Sequence, residues 1–352
     1  MQDAINKTLI IRLSSIGDII LASPLVRLLR KAFPKTQIDF LVKTGYADLV
    51  RYNPHLSNII AFDSRGGAEH LSALRRRIRR SGYDLIIDLQ GNFRSSFVRS
   101  GNARQVMIVD KRRLARFLLV NFKWNLYNSA PPVALRYLET LSPWRVVDDG
   151  LGLEVFVPKE TQSRIADRLA AAGVHNNENI VGLCPGAKHA TKRWPLERFA
   201  ELAAMLIRED NATVILFGGE DDRKRCDVIE QKVVEENGNR NTIANFAGAF
   251  SLLETAAAMD ACDVVVSNDT GLLHLAAARK RKVAALFGPT VKEFGFFPYG
   301  AESRVIERSG LYCRPCTHIG GEACPEGHFR CMREVTVEAV LRGVRSFLPI
   351  AA

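Results

Sequence analysis

The chain has 352 residues, too many for one typical domain, and its 47% hydrophobic and 25% charged residues are ordinary for a globular protein, so two domains are expected. No apolar run is long enough to span a membrane, and the run from Met1 to Leu13 lacks the basic start, apolar stretch and cleavage site of a secretory signal, which makes the cytoplasm the expected compartment. The net charge of +11 is uneven: residues 1–150 hold 24 Lys and Arg against 12 Asp and Glu, the remainder 25 against 26, so the excess lies in the first half and points either to a solvated surface or to an anionic partner.

In chain order, strand-like runs at Leu9–Leu13, Ile38–Val42, Asn58–Phe62, Asp84–Leu89 and Gln105–Val109 alternate with helical patterns at Ile19–Ala32, Ala68–Arg80 and Asn92–Arg99. Apolar strands separated by helices predict a parallel sheet covered on both faces. The helix over Ala68–Arg80 carries Arg75, Arg76, Arg77, Arg79 and Arg80, and a second basic group follows at Lys111, Arg112, Arg113 and Arg116. No nucleic-acid motif accompanies this charge, so nucleic acid is not an expected partner.

The alternation pauses around Asp148, Asp149 and Gly150, where the interdomain linker is placed, giving expected domains of residues 1–155 and 156–352. A helix at Gln162–Ala172 ends at Gly173, a natural helix stop. The second half then repeats the pattern with strands at Ile180–Cys184, Thr213–Phe217, Thr242–Phe246, Asp263–Ser267 and Lys282–Phe287. Helices are expected at Leu196–Ile207, Arg223–Glu236, Leu252–Met259 and Leu272–Ala278, with a closing helix at Val337–Phe347. Two such α/β halves create a cleft at the carboxyl ends of their strands, where ligands bind in sheets of this kind.

Four segments carry candidate chemistry. The first, Arg12 to Asp18, ends a strand and opens a helix; Asp18 is either a helix cap or a carboxylate held as general base. It has no G-x-G-x-x-G dinucleotide fingerprint. The second, Gly186 to Pro195, places Lys188, Thr191, Lys192 and Arg193 in a strand–loop–helix turn suited to anions, with Lys192 placed to neutralise a departing diphosphate and Trp194 read as packing. The third, Ser267 to His274, offers the hydroxyl of Thr270 and the backbone of Gly271 at a helix N-terminus, the geometry that holds phosphate. Asp269 beside phosphate would repel it unless it caps the turn, and His274 is as well explained by structure as by ligand contact. The Asp-Thr-Gly tripeptide is not an aspartic protease signature here, because only one copy exists and the context is α/β. The fourth, Cys313, Cys316, Cys324 and Cys331, resembles a four-thiolate structural zinc site, with His318 and His328 as substitutes, although the spacing departs from paired C-x-x-C hooks. Seven cysteines in all do not suggest a secreted disulfide framework.

Taken together, Ile11 to Pro24, Gly186 to Pro195 and Asn268 to His274 resemble the ADP-heptose:lipopolysaccharide heptosyltransferases, glycosyltransferase family 9. The resemblance implies a GT-B architecture, two Rossmann-like domains with parallel sheets facing a central cleft. It implies an inverting, metal-independent transfer of heptose from ADP-heptose to the inner core of lipopolysaccharide, without a catalytic cofactor. By position, Asp18 matches the family's general base, Lys192 the lysine near the donor phosphates, and Asp269, Thr270 and Gly271 the diphosphate loop; Lys188, Thr191 and His274 fall in the same donor-binding segments. The expected partners are a nucleotide-sugar donor, an anionic glycolipid acceptor and the inner membrane surface, met peripherally. A nucleotide-sugar enzyme without transfer, such as an epimerase, and a metal-binding protein centred on the cysteines are the alternatives.

Overall fold

A computed structural model describes residues 5–175, 179–238 and 242–348. The chain forms two compact units, Met1–Arg113 with Pro131–Phe156, and Leu114–Ala130 with Val157–Ala352.

In the first unit, β1 (Lys7–Ile11), β2 (Gln37–Lys43), β3 (Asn58–Phe62), β4 (Tyr83–Asp88) and β5 (Ala103–Ile108) form one parallel sheet in the order β3-β2-β1-β4-β5. Each expected strand forms, within two residues of its predicted ends. Leu9, Ile11, Leu41, Ile60 and Ile86 bury against Leu74 and Ile78 of the helix Gly67–Ser81 and Val98 of the helix Phe93–Arg99. The single helix expected over Ile19–Ala32 is two, Ile16–Ile20 and Ser23–Ala32. Pro24 is the reason: it lacks an N–H to donate to the Ile20 carbonyl, so it takes an early position in a new helix, and the Ser23 hydroxyl donates to that carbonyl at 2.7 Å instead.

In the second unit, β6 (Asn179–Cys184), β7 (Ala212–Leu216), β8 (Ile243–Asn245), β9 (Val264–Asn268), β10 (Lys282–Phe287) and β11 (Ser303–Glu307) form a parallel sheet in the order β11-β10-β9-β6-β7-β8. The edge strand β11 was not expected, because its half-exposed Ser-Arg-Val-Ile-Glu run carries little apolar signal. One face of the sheet, carrying Val181, Leu183, Val214, Leu216, Val264 and Val266, packs against the helices Leu196–Asp210, Arg223–Asn237 and Val337–Arg345. Trp194 lies in this core, fully buried, edge-on to Phe199 at 5.0 Å, with its indole N–H donating to the Val335 carbonyl at 2.9 Å.

Strand order fixes where each unit can bind. From β1 the first sheet grows through β2 to β3, then resumes on the opposite side with β4; from β6 the second grows through β7 to β8, then resumes with β9. The loops leaving β1 and β4, and those leaving β6 and β9, therefore diverge and open a crevice at the carboxyl edge of each sheet. The three segments that resemble the transferase family begin or end in these loops.

Candidate active site

Asp18 sits in the first turn of the helix Ile16–Ile20, directly after the loop leaving β1, and the sheet itself fastens that loop. The side-chain carbonyl of Gln90, just beyond β4, accepts from the backbone N–H of Leu13 at 2.9 Å and of Ser14 at 3.4 Å. Arg12, 7% exposed, donates to the Leu89 carbonyl and pairs through Nη2 with Asp18 Oδ2 at 2.7 Å. The same carboxylate oxygen accepts from the Ser15 hydroxyl at 2.7 Å and the Ser15 N–H at 3.2 Å, while Oδ1 accepts from the Tyr137 hydroxyl at 3.3 Å. The capping contact expected of Asp18 is thus present on one oxygen, and the other faces a phenol brought from 119 residues away. Burial pushes the Asp18 carboxyl up, but the Arg12 guanidinium and the Ser15 bonds outweigh it and hold it below the usual carboxylate range. Burial and the Asp18 carboxylate push Tyr137 far above an ordinary phenol, so it stays a donor. Lys111, whose side chain lies over Gly91, is lowered by burial and by Arg12 and Arg113. Gly91 has a φ of +51°, and a Cβ there would lie 3.1 Å from Lys111 Cε.

In the second unit, the buried carboxylate of Asp269 accepts from Lys192 Nζ at 2.6 Å and from the Thr290 hydroxyl at 2.8 Å. Asp269 thus joins the loops leaving β6, β9 and β10. Asn268 adds a second clasp: its amide donates to the carbonyls of Pro185 at 3.0 Å and Gly186 at 3.3 Å and accepts from the Trp194 N–H at 3.1 Å. Arg193 folds back on its own loop, donating to the Ala187 carbonyl at 2.7 Å. At Gly186 a Cβ would lie 2.2 Å from Asp222 Oδ1, so any side chain there would have to displace the Asp222 carboxylate. Thr270 caps the helix Gly271–Ala278 with extended backbone and no side-chain capping bond, its hydroxyl 3.5 Å from that of Ser267. Burial, then Lys192 and Lys188, lowers His189, which marks the loop as electropositive.

The structure brings Lys192, Asp269, Thr270 and Gly271 to one sheet edge. Lys188 is exposed in the same loop. Thr191 is differently occupied: its hydroxyl accepts from the Gly321 N–H at 2.8 Å and lies 3.2 Å from the Gly321 carbonyl, so it staples the lysine loop to the cysteine segment. His274 is 2% exposed, inside the helix. The partners that sequence reasoning missed are Arg12, Ser15, Tyr137 and Asn268. Arg12, Ser15 and Asn268 stand inside the motifs themselves, where counter-charges and caps are to be sought; nothing local marks Tyr137. The turn at residues 287–290, which ends the next strand of the sequence pattern, comes to the same edge as that pattern implies, and there Thr290 meets Asp269.

The zinc site expected at Cys313, Cys316, Cys324 and Cys331 is not formed. Among the described residues, no group of three or more His, Cys, Asp or Glu side chains is arranged to hold a metal ion. Cys313 and Cys331 instead bury with Leu311 and Met332 in a small apolar cluster against Phe329. Burial, and after it the neighbouring thiols, pushes Cys331 up to about 12 and raises Cys316. The His328 Nε2 lies 3.9 Å from Cys313 Sγ, and His318 is lowered by burial and then by Arg116 and Lys192. Cys184, Cys226 and Cys262 are buried in the second unit, as small apolar residues.

Residues 71–325 match glycosyltransferase family 9 (heptosyltransferase). The chain is 28% identical to lipooligosaccharide heptosyltransferase 2 of Haemophilus ducreyi, over 97% of this chain and 99% of that one. Among solved structures it is similar to the family 9 glycosyl transferase of Veillonella parvula, with a TM-score of 0.80 and 24% identity, covering 99% of this chain and 98% of that one. It is also similar to ADP-heptose lps heptosyltransferase II of E. coli, with a TM-score of 0.71 and 24% identity, covering 97% and 98%. With two parallel α/β units and the motif residues gathered at the switch point of each, the chain belongs to glycosyltransferase family 9, the heptosyltransferases, and has the GT-B fold class of that family.

Proposed function

We propose that this chain is an inverting heptosyltransferase that moves heptose from ADP-heptose to the inner core of lipopolysaccharide, with the first unit binding the acceptor and the second the donor. The observation that carries the reading is the placement of Asp18 and of Lys192, Thr270 and Gly271 at the two sheet switch points. In this reading Asp18 Oδ1 takes the proton of the acceptor hydroxyl as that oxygen bonds to the anomeric carbon and the bond to the ADP oxygen breaks. A carboxylate held at low basicity suits a proton transfer that comes late, after bonding has acidified the attacking hydroxyl. Lys192 and the N-terminus of the helix Gly271–Ala278 stabilise the departing diphosphate. Asp269 and Thr191 act by holding the lysine loop, which removes the expected repulsion between Asp269 and phosphate. A single base suffices, whereas a glycosidase needs two flanking carboxylates.

The test is acceptor-dependent release of ADP by the purified protein. With ADP-heptose and a truncated lipopolysaccharide core, product should form in the presence of EDTA, and UDP- or GDP-sugars should not replace the donor. Nucleotide-sugar turnover without an acceptor would favour the epimerase alternative and overturn the proposal.

The acceptor of such an enzyme is anionic and membrane-borne, so the proposed contacts include the membrane surface; among the described residues no helix is long and apolar enough to cross it. The helix Gly67–Ser81 is one source of positive potential. Arg76, Arg77, Arg79 and Arg80 are exposed, while Arg75 is half-buried with its guanidinium over Phe97 at 4.6 Å. Changing the four exposed arginines to Gln is expected to raise acceptor KM severalfold and flatten its salt dependence, leaving donor KM unchanged. Steady-state kinetics at two ionic strengths measure this, and an unchanged salt slope would mean the helix is only a solvated face.

A further inference from the structure

The helix Arg113–Phe122 and the turn after it leave an apolar face uncovered. Of the thirteen large hydrophobic side chains exposed among the described residues, five fall within residues 114–126: Leu114, Phe117, Phe122, Trp124 and Leu126. The helix has one buried side chain, Leu119. Exposed apolar residues scattered singly need no explanation, but a contiguous group does. Three of the five are contiguous: the Phe122 ring lies 6.0 Å from Phe117 and 5.5 Å from Trp124.

The segment is also firmly held. Lys123, at a φ of +60°, donates through Nζ to the carbonyls of Val120 at 2.9 Å, Cys313 at 3.2 Å and Pro315 at 2.7 Å. Asn125 donates to Glu293 at 3.1 Å. The polar side is thus tied to the second unit, and the aromatic side remains outward.

Charge selects the occupant. Lys111, Arg112, Arg113, Arg116 and Lys123 occur with no Asp or Glu between residues 111 and 138. Arg112 is paired with Glu139, whereas Arg113 donates to a neutral carbonyl, that of Gly91, and forms no ion pair among the described residues. A helix with Phe exposed, followed by a turn with Trp exposed, and with Arg113 and Arg116 in its sequence, is built to lie in a lipid–water interface, where aromatic rings sit at headgroup level and cations meet anionic headgroups.

We propose that residues 113–126 form a membrane-docking patch that seats this enzyme on an anionic bilayer. The inference rests on the glycolipid-acceptor reading for its purpose, because an acceptor anchored in a bilayer is reached from the bilayer surface. Its test is separate. The full-length protein is sedimented with vesicles of phosphatidylcholine alone and with vesicles rich in phosphatidylglycerol. Wild type should bind the anionic vesicles, less so at high salt, and Trp124 fluorescence should shift to the blue. The triple change Phe117→Ser, Phe122→Ser and Trp124→Ser should weaken binding at least tenfold, as expected when several aromatic anchors are lost. The pair Arg113→Gln and Arg116→Gln should weaken it about fivefold per charge removed. Because the three aromatic side chains are exposed, the triple variant should melt like wild type and transfer normally to a core acceptor stripped of its acyl chains. Wild type that ignores anionic vesicles, or a triple variant that binds them undiminished, overturns the proposal. So does self-association abolished by the triple change without vesicle binding, which would make the face an interface between copies. If wild type binds vesicles but fails to use the acyl-free acceptor, the transfer reading fails while the patch stands.

Discussion

Replacing Asp18 with Asn is expected to lower transfer by about a hundredfold or more, the range for loss of a positioned general base, with ADP binding intact. The substitution keeps the shape and still accepts from Ser15, but the amide cannot take a proton. It also leaves Arg12 without its charged partner at 2.7 Å, in a site where both side chains are mostly buried. Removing one member of a buried pair is destabilising, so a melting temperature lower by several degrees should accompany the loss. The two effects separate when turnover is measured well below the melting transition. The pH response gives an independent check. Because Arg12 and Ser15 hold the Asp18 carboxyl below its usual range against the effect of burial, its contribution to stability is fully present above the unfolded value of about 3.9 and is lost as pH falls through the lower folded value. The acid limb of kcat due to Asp18 should therefore lie below about pH 4. Activity retained by Asp18→Asn, with a weakened fold, would make Asp18 only the cap of its helix.

Lys192→Ala is the second large effect. Turnover at saturating donor should fall roughly ten- to a thousandfold, as expected when the group that meets the leaving diphosphate is lost. The geometry adds a qualification that can be measured. Lys192 holds Asp269 at 2.6 Å, and Asp269 also holds Thr290, so the alanine variant leaves a buried carboxylate with a hydroxyl as its remaining named partner. Some of the loss is then positional. Asp269→Asn, which keeps the lysine charge but loosens its tether, should raise donor KM and reduce turnover less than Lys192→Ala. Wild-type kcat in Lys192→Ala would remove the lysine from the chemistry, and equal losses in the two variants would assign it to holding the loop.

Much of this architecture was legible in one dimension. Ten of the eleven strands among the described residues follow from short apolar runs, because a parallel strand covered on both faces must be apolar along its length. The helix stop at Gly173, with a φ of +84°, and the break before Pro24 follow from local backbone chemistry, although the break itself was not anticipated. Asp18, Lys192, Asp269, Thr270 and Gly271 could be placed at the carboxyl edges of the two sheets because each stands where a strand turns into a helix. Tertiary structure alone decided what these residues touch. Tyr137 reaches Asp18 from a distant helix, Thr290 reaches Asp269 from the turn after the next strand, and Gly321 occupies the hydroxyl of Thr191 that the sequence offered to the donor. The four cysteines had a metal-like spacing, yet spacing does not set direction, and burial against Leu311 and Met332 turned two of them into core. The exposed face of residues 114–126 was hidden for the converse reason: an apolar sequence reads as buried until the fold leaves it with nothing to bury against.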